Sequence, residues 1–365
     1  MITLLIFLLV LSVLVLAHEW GHYVAARWAK VHIEEFGLGF PPRAKKLWSN
    51  KLGTIFSLNW LPLGGFVRLR EENKDQPKDP KAFINRPLGQ RMVIVLAGIV
   101  MNIFLAWGLL SLGYMVGLPS LTNDVPAQNL ENVEVRISGV QKNSPAEKAG
   151  LVMGDQIIRL NGRDIFSVPE VISGVKENNE AVHLDIFRGT TALSFDIMPQ
   201  GLGQQRILGI NLYSTALVRY GFFKAIWAGA KTTWEASAFI YDALKNLFAK
   251  IFSGQGVGSD VAGPVGIAVL SGQAASLGFG YLLQFMALLS LNLAFINILP
   301  LPALDGGRFV FLVAELFRRK PIPLEKESVI HKWGMIALLV LVVVIVFNDL
   351  RNFWPAFNNL IRKVF

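Results

Sequence analysis

The stretch His18-Glu19-Trp20-Gly21-His22 decides how the rest of the chain is understood. It has the pattern H-E-x-x-H, and on a helix its two histidines lie one turn apart on the same face. Two imidazoles in that arrangement can hold one metal ion, and Glu19 beside them can take a proton from a water that the metal activates. The alternative is a pair of core histidines satisfied by hydrogen bonds.

The residues before the motif favour the metal site. Residues 2–17 are apolar apart from Thr3 and Ser12, and they lead straight into the motif. Ionisable groups at the end of a membrane helix are costly, so they usually have a partner and a function. The run has neither the basic start nor the small-residue cleavage site of a signal peptide, so we expect a retained span.

The composition is that of a membrane protein. Of the 365 residues, 53% are hydrophobic, which is too apolar for an ordinary soluble enzyme. The chain has no cysteine, so a metal would be held by His, Asp or Glu. The net charge of +9 indicates membrane orientation rather than a nucleic-acid partner.

The apolar stretches predict a polytopic α-helical protein with about four transmembrane helices, at 1–29, 91–118, 281–317 and 333–356. Lysine and arginine are frequent in the loops 30–90 and 318–332, which places both loops in the cytoplasm. Both termini and the segment 119–280 then lie outside the cell. A helix that enters from outside reaches His18 before the cytoplasmic interface, so the site should lie in the membrane near the cytoplasmic face.

A short β-element is predicted inside the first cytoplasmic loop. Residues 54–69 contain two stretches of strand character around a turn that includes Gly64 and Gly65, which predicts a β-hairpin. The hairpin is either a small surface element or an element that dips towards the membrane beside the metal. In the second case its unpaired edge could hold an extended peptide by strand addition.

The middle of the chain changes character. Residues 130–200 contain the run S-P-A-x-x-A-G-L-x-x-G-D-x-I-x-x-x-N-G, from Ser144 to Gly162. This run looks like a bacterial PDZ domain, an α+β fold, and the segment is long enough for one such domain. Residues 201–280 carry apolar side chains at helical spacing and predict extracytoplasmic amphipathic helices at the membrane interface.

The third predicted span ends in polar and helix-breaking residues. Asn292 and Asn297 precede Pro300, and Asp305 follows. Proline must break the helix and free backbone carbonyls. By the predicted topology, Asp305 lies at the same end of the membrane as His18. A His/His/Asp set with one open position is the pattern of a catalytic zinc site, and the alternative role of the aspartate is a helix cap.

Together these motifs resemble the site-2 protease family of intramembrane zinc metalloproteases, and the order of elements is similar to the bacterial RseP/RasP group. The resemblance covers essentially the whole chain. It implies Zn²⁺ at the metal site and a membrane-reentrant β-element at 54–69. The residues that it implies are His18, His22 and Asp305 for the metal, Glu19 as general base and acid, and Asn292, Asn297, Pro300, Gly64 and Gly65 for the substrate.

Two features depart from the family pattern. Family members often have A-G-P-x-x-N in the second span, whereas this chain has Ala97-Gly98-Ile99-Val100-Met101-Asn102. An asparagine in a span serves as often for interhelical hydrogen bonding as for a site, and both roles stay open. The best-known relatives from Gram-negative bacteria carry two PDZ domains, whereas this chain has one.

We therefore expect a polytopic zinc protease of the bacterial plasma (inner) membrane, active as a monomer, with one inserted PDZ domain. Its substrate would be a single-span membrane protein, such as an anti-sigma factor or a remnant signal peptide. The PDZ domain would filter substrates or bind a C-terminal peptide. The competing class is a non-catalytic PDZ scaffold, which has no need of Glu19. A transporter would show an internal repeat, which we do not find.

Overall fold

The computed structural model describes residues 2–71, 79–121, 130–177, 180–189, 191–201, 206–253, 263–320 and 322–362. Its helices are α1 (Ile2–Trp28), α2 (Leu88–Val116), α3 (Pro145–Ala149), α4 (Val168–Glu177), α5 (Phe222–Phe252), α6 (Pro264–Leu277), α7 (Phe279–Asn297), α8 (Asp305–Arg318) and α9 (Leu324–Arg362). Its strands are β1 (Ile33–Ser49), β2 (Ile55–Leu69), β3 (Leu118–Leu121), β4 (Leu130–Val140), β5 (Gln156–Leu160), β6 (Arg163–Asp164), β7 (Val182–Arg188), β8 (Thr191–Ile197) and β9 (Ile210–Val218).

The described chain forms two compact units. The first, which we call the membrane unit, comprises Met1–Leu112 and Ile226–Phe365. The second, the inserted unit, comprises Gly113–Ala225.

Four of the described helices are long and apolar enough to cross a membrane, which agrees with the predicted number of spans. They are α1, α2, α7 and the part of α9 from Lys326 to Phe347. The stretch 281–317, predicted as one span, is not one helix, because α7 ends at Asn297 and α8 begins at Asp305. Pro300 lies between them, as expected for a residue that disrupts a helix interior.

Glycine allows close contacts between helices in the membrane unit. Gly21 of α1 lies against the backbone carbonyl of Ala97 in α2, and Gly272 of α6 lies against Thr3 of α1, so that a Cβ at either glycine would collide. Small residues that let backbones approach are a usual basis of helix packing in membranes. The two approaches hold α2 and α6 against the helix that carries the H-E-x-x-H motif.

The segment 201–280 is amphipathic helix only in part. The helix α5 exposes Phe223, Trp227 and Trp234, in agreement with the prediction. The shorter helix α6 is apolar and packs against α1 and α9. The prediction of helices is wrong at β9, because this alternating stretch pairs with β3 and β4 in the sheet of the inserted unit.

The strands β1 and β2 form a sheet of their own that packs against α1. Residues 35–38 pair with both halves of β2, so that Gly37 lies opposite both Phe66 and Ser57. The first half of β1 is therefore flanked on each side by one half of β2.

The predicted hairpin over 54–69 is wrong in its pairing. Gly64 and Gly65 lie inside one continuous strand, and the residues that pair with this strand come from β1. The prediction failed because a turn-like sequence inside a strand does not reveal a partner further away in the chain. Gly64 has a left-handed φ of 83°, which explains why glycine is found there.

The inserted unit has a sheet with the strand order β3-β9-β4-β5-β7-β8, and β6 pairs with β5. Its core is aliphatic and includes Val135, Ile157, Leu184 and Ile186, each at most 1% exposed. The predicted segment 130–200 lies within this unit. The sheet also takes β3 and β9 from outside the predicted boundaries.

Candidate metal centre

His18, His22 and Asp305 meet in the membrane unit, although they are far apart in sequence. Oδ2 of Asp305 lies 3.0 Å from Nε2 of His18 and 3.3 Å from Nε2 of His22, and the two Nε2 atoms are 3.2 Å apart. A tetrahedral zinc ion with ligands at 2.0–2.2 Å holds neighbouring ligand atoms about 3.3 Å apart. The three distances therefore fit zinc.

The hydrogen bonds of the histidines also favour a cation at this point. Nδ1 of His22 lies 2.8 Å from the carbonyl oxygen of Ile94, and only a protonated Nδ1 can donate to a carbonyl. In the neutral ring Nε2 then carries a lone pair, which points at Oδ2 of Asp305. That oxygen is buried and lacks a conventional hydrogen-bond donor. Electron pairs that face one another at this distance need a cation between them.

The loop between α7 and α8 places Asp305 beside the histidines. Gly306 lies against the carbonyl oxygen of Ile298, and Gly307 against that of Leu301. A Cβ at either glycine would collide with the backbone of the loop. The two glycines after Asp305 therefore let the first turn of α8 lie directly under the loop, with Asp305 at its start.

One face of α2 lies under the two histidine rings. The carbonyl of Ile94, the bare Cα of Gly98 and the side chain of Asn102 follow one another at intervals of four residues, which aligns them on one helix face. A Cβ at Gly98 would collide with Nε2 of His22 and would lie 2.7 Å from Cε1 of His18. The amide nitrogen of Asn102 lies 3.2 Å from Nδ1 of His18.

Sequence analysis did not identify Gly98 or Asn102 as site residues. The available signal was an asparagine inside an apolar span, four residues after a glycine. Asn102 is fully buried, and the hydroxyl of Ser290 in α7 donates to its backbone carbonyl at 2.8 Å. The side chain of Asn102 contacts a histidine of α1, so this asparagine both bridges two helices and lies at the candidate site.

Glu19 lies where β2 meets α1. The backbone N–H of Val67 donates to its carboxylate. A Cβ on Gly65 would lie only 3.4 Å from Cγ of Glu19, so the strand approaches the helix closely here. A cavity of about 240 Å³ opens at this point and is lined by His18, Glu19, His22, Phe66, Val67, Leu69, Glu71, Phe83, Ile94, Val95, Asp305 and Arg308. The carboxylate and the three metal-ligand candidates therefore share one cavity.

The other predicted site residues are placed differently. Gly65 lies at the site, as described, and Gly64 is its neighbour in β2. Asn292 and Pro300 are exposed, and Asn297 is half-buried. Among the described residues, none of these three lines the cavity beside Glu19.

Arg308 connects three elements at the rim of the cavity. Its guanidinium lies 2.6 Å from the carboxylate of Glu71, just after β2, and 3.7 Å from that of Glu327 in α9. The guanidinium carbon also lies 4.5 Å from the centre of the Phe83 ring. These contacts hold the end of β2, α8 and α9 together next to Asp305.

The chain matches the model of a known protein family. The family model described as peptidase family M50 matches residues 6–341. The zinc metalloprotease RasP of Shouchella clausii is 30% identical, over 96% of this chain and 99% of its own. The regulator of sigma-W protease RasP of Bacillus subtilis is 28% identical over 96% and 98%. The regulator of sigma-E protease RseP of Escherichia coli is 27% identical over 94% and 97%.

One solved structure matches part of the chain. It is the PDZ domain of an SdrC-like protein from Listeria monocytogenes, which covers 21% of this chain and 85% of its own length, with 23% identity and a TM-score of 0.20. A likeness this slight carries no argument about the inserted unit. The PDZ assignment rests on the run from Ser144 to Gly162.

Proposed function

The chain belongs to peptidase family M50 and is a multi-pass membrane zinc metalloprotease of the site-2 type, and on that premise we propose that it cleaves single-span transmembrane helices inside the bilayer. His18, His22 and Asp305 hold the zinc. The observation that carries this assignment is the convergence of their three ligand atoms at zinc-like distances among apolar helices.

Glu19 is the general base and acid of the proposed reaction. Zinc held by His18, His22 and Asp305 would supply a water molecule of lowered pKa and would polarise the scissile carbonyl. Glu19 takes the proton from that water and passes it to the leaving amine. Its position supports this role, because it lines the same cavity as the ligands and the N–H of Val67 orients its carboxylate.

The second half of β2 is the proposed binding edge for the substrate backbone. A helical substrate hides its carbonyls in its own hydrogen bonds, so it must unwind before cleavage. In the part of the chain that the structure describes, residues 65–69 pair with β1 along one edge only. The other edge can therefore bind an extended segment by strand addition, beside Glu19 and with Gly64 and Gly65 allowing close approach.

Asn292, Asn297 and Pro300 are proposed to contact the substrate helix. An exposed amide on a membrane helix faces lipid at a cost unless a polar group covers it. Asn292 is exposed on α7 and Asn297 is half-buried at its end. A substrate that unwinds beside α7 would offer backbone groups to both amides and to the carbonyls freed near Pro300.

We infer the cellular setting from charge and from the relatives. The loops rich in lysine and arginine lie in the cytoplasm, and both termini and the inserted unit lie outside the bacterial plasma (inner) membrane. The names of the RasP and RseP relatives, regulators of sigma-W and sigma-E, support a role in regulatory proteolysis. The proposed substrate is an anti-sigma factor or a remnant signal peptide. The inserted unit filters substrates as a PDZ domain or binds a C-terminal peptide, and the enzyme acts as a monomer.

The test compares the wild type with Glu19→Gln and His22→Ala, purified in lipid vesicles together with a single-span substrate. We expect Glu19→Gln to keep about one zinc per chain and to lose cleavage by roughly 10²–10⁴-fold, because Glu19 is not a ligand. We expect His22→Ala to lose most of its zinc. Undiminished cleavage by Glu19→Gln would contradict the role of Glu19, and no cleavage by the wild type would leave the scaffold as the better interpretation.

A further inference from the structure

We propose that Asn102 is a positioning residue of the metal centre, whose side-chain oxygen accepts a hydrogen bond from Nδ1–H of His18. That bond would place the single proton of the neutral ring on Nδ1. The other ring nitrogen, Nε2, would then present its lone pair to the metal. The inference rests on the zinc site proposed above and adds to it a residue on α2.

The two histidines require the same proton arrangement. Both direct Nε2 towards Oδ2 of Asp305. For His22 the arrangement is set by the carbonyl of Ile94, which accepts from Nδ1 at 2.8 Å. A histidine that binds a metal through one nitrogen almost always donates the hydrogen on its other nitrogen to an acceptor. His18 therefore also needs an acceptor near Nδ1.

Asn102 is the residue at that place. Its amide group lies 3.2 Å from Nδ1 of His18. The nitrogen and oxygen of an asparagine amide exchange places on a half-turn of the group, with almost no change in shape. With the oxygen towards the ring, the bond has the direction that a metal on Nε2 requires. Asn102 then does for His18 what Ile94, two turns earlier on the same face of α2, does for His22.

The other end of the amide shows that packing alone does not explain Asn102. The second polar atom of its side chain is buried without a hydrogen-bond partner, and the residue as a whole is fully buried. A buried polar group without a partner destabilises a protein, and leucine would fill a similar volume without that cost. The side chain is therefore best explained by the bond to His18.

The fixed position of Asn102 supports the same role. The bond from the hydroxyl of Ser290 to its backbone carbonyl, 2.8 Å long, ties this turn of α2 to α7. Asn102 thus links the helix of the two histidines, through α2, to the helix that leads to Asp305.

The experiment measures zinc affinity by competition with a chelator, in the purified full-length protein, for the wild type, Asn102→Leu and Asn102→Asp. We expect Asn102→Leu to weaken zinc binding about 10–100-fold, as removal of such outer partners typically does. We expect Asn102→Asp to bind zinc at least as tightly as the wild type, because a carboxylate accepts from Nδ1–H. If the amide instead donates to the ring, Asn102→Asp would weaken binding as much as Asn102→Leu, which would overturn the proposal.

A second measurement separates positioning from a merely structural role. The metal-free Asn102→Leu protein should unfold at the same temperature as the metal-free wild type or above it, because the unpaired amide is gone. The matched control is Ser271→Ala, which removes another buried polar group that bonds to a carbonyl of its own helix and should leave zinc affinity unchanged. Wild-type affinity in Asn102→Leu would overturn this inference alone, whereas a wild type without zinc would overturn the zinc site itself.

Discussion

The membrane unit and the inserted unit both bury polar side chains, but for different purposes. In the membrane unit, His18 is buried with its Nε2 facing both Nε2 of His22 and Oδ2 of Asp305, an arrangement that fits the proposed metal ion. In the inserted unit, Asp155 is fully buried, and its carboxylate accepts hydrogen bonds from Arg188 and from a backbone N–H. The first arrangement holds reactive groups ready, whereas the second holds strands together. Substitutions in the two units should therefore affect different measurements.

The largest expected effect is at Gly98, in the membrane unit. Gly98→Ala places a methyl group where the two histidine rings lie, so zinc affinity should fall by about 100-fold or more. The measurement is zinc content after dialysis against a chelator. The control is Gly108→Ala in the same helix, because no atom lies within 4 Å of an added Cβ there. Equal zinc in both variants would contradict the close approach of α2.

The next largest effect is expected in the core of the inserted unit. Leu184 is fully buried in the core of the inserted unit, so Leu184→Ala should lower the free energy of unfolding of that unit by about 2–5 kcal/mol. Zinc content should not change, since none of the candidate ligands lies in this unit. Denaturant unfolding, monitored by limited proteolysis, would measure the free energy of unfolding of the inserted unit. Loss of zinc together with the loss of stability would show that the two units are not independent.

A smaller effect is expected at the ion pair between the buried Asp155 and the partly exposed Arg188 of the inserted unit. The carboxylate of Asp155 accepts from Arg188 at 2.8 and 2.9 Å and from the N–H of Val152 at 2.9 Å. Asp155→Asn keeps the shape and removes the charge, so we expect a loss of about 1–3 kcal/mol in unfolding free energy. Arg159→Gln, which breaks an exposed pair with Asp164, is the control and should change stability by less than about 1 kcal/mol.

The smallest effect is a pH dependence at His183, on the surface of the inserted unit. A hydrogen bond from its ring to Asp196 raises the pKa of His183 above 6.5. The folded state therefore binds the proton more tightly than the unfolded state. The stabilisation is complete below about pH 6.5 and is lost as the pH rises through the raised pKa. Unfolding temperatures measured across this range should fall slightly in the wild type, whereas Asp196→Asn should remove most of the slope.

The sequence predicts the half of the metal site that is local. The spacing of four residues in H-E-x-x-H places both histidines and Glu19 on α1 without reference to the rest of the chain. Asp305 is predicted as a ligand because it follows Pro300, which must interrupt the helix, and because the motifs resemble those of a known family. The α2 face could not be predicted in this way, because a glycine and an asparagine in an apolar span do not reveal which helix they approach.

The sheet beside α1 shows a second limit. Strand character at 54–69 was visible in the sequence, but its partner was not, because pairing depends on contacts between residues far apart in the chain. Residues 35–38 of β1 pair with both halves of β2. An alternation of apolar and polar residues does not show that a strand has a partner on each side. In the inserted unit, β9 was not predicted for the same reason, because its partner β4 lies far away in the chain.

The order of the proposed ligands along the chain has a consequence for biosynthesis. The ribosome makes His18, Glu19 and His22 early, whereas Asp305 follows only after α7 and the loop that places it. A growing chain in the membrane therefore carries two histidines and a base without the third ligand. Fragments from interrupted translation, or from cleavage before the loop, would be inert. The separation of the proposed site residues along the chain thus delays proteolysis until the segment that carries Asp305 has been inserted.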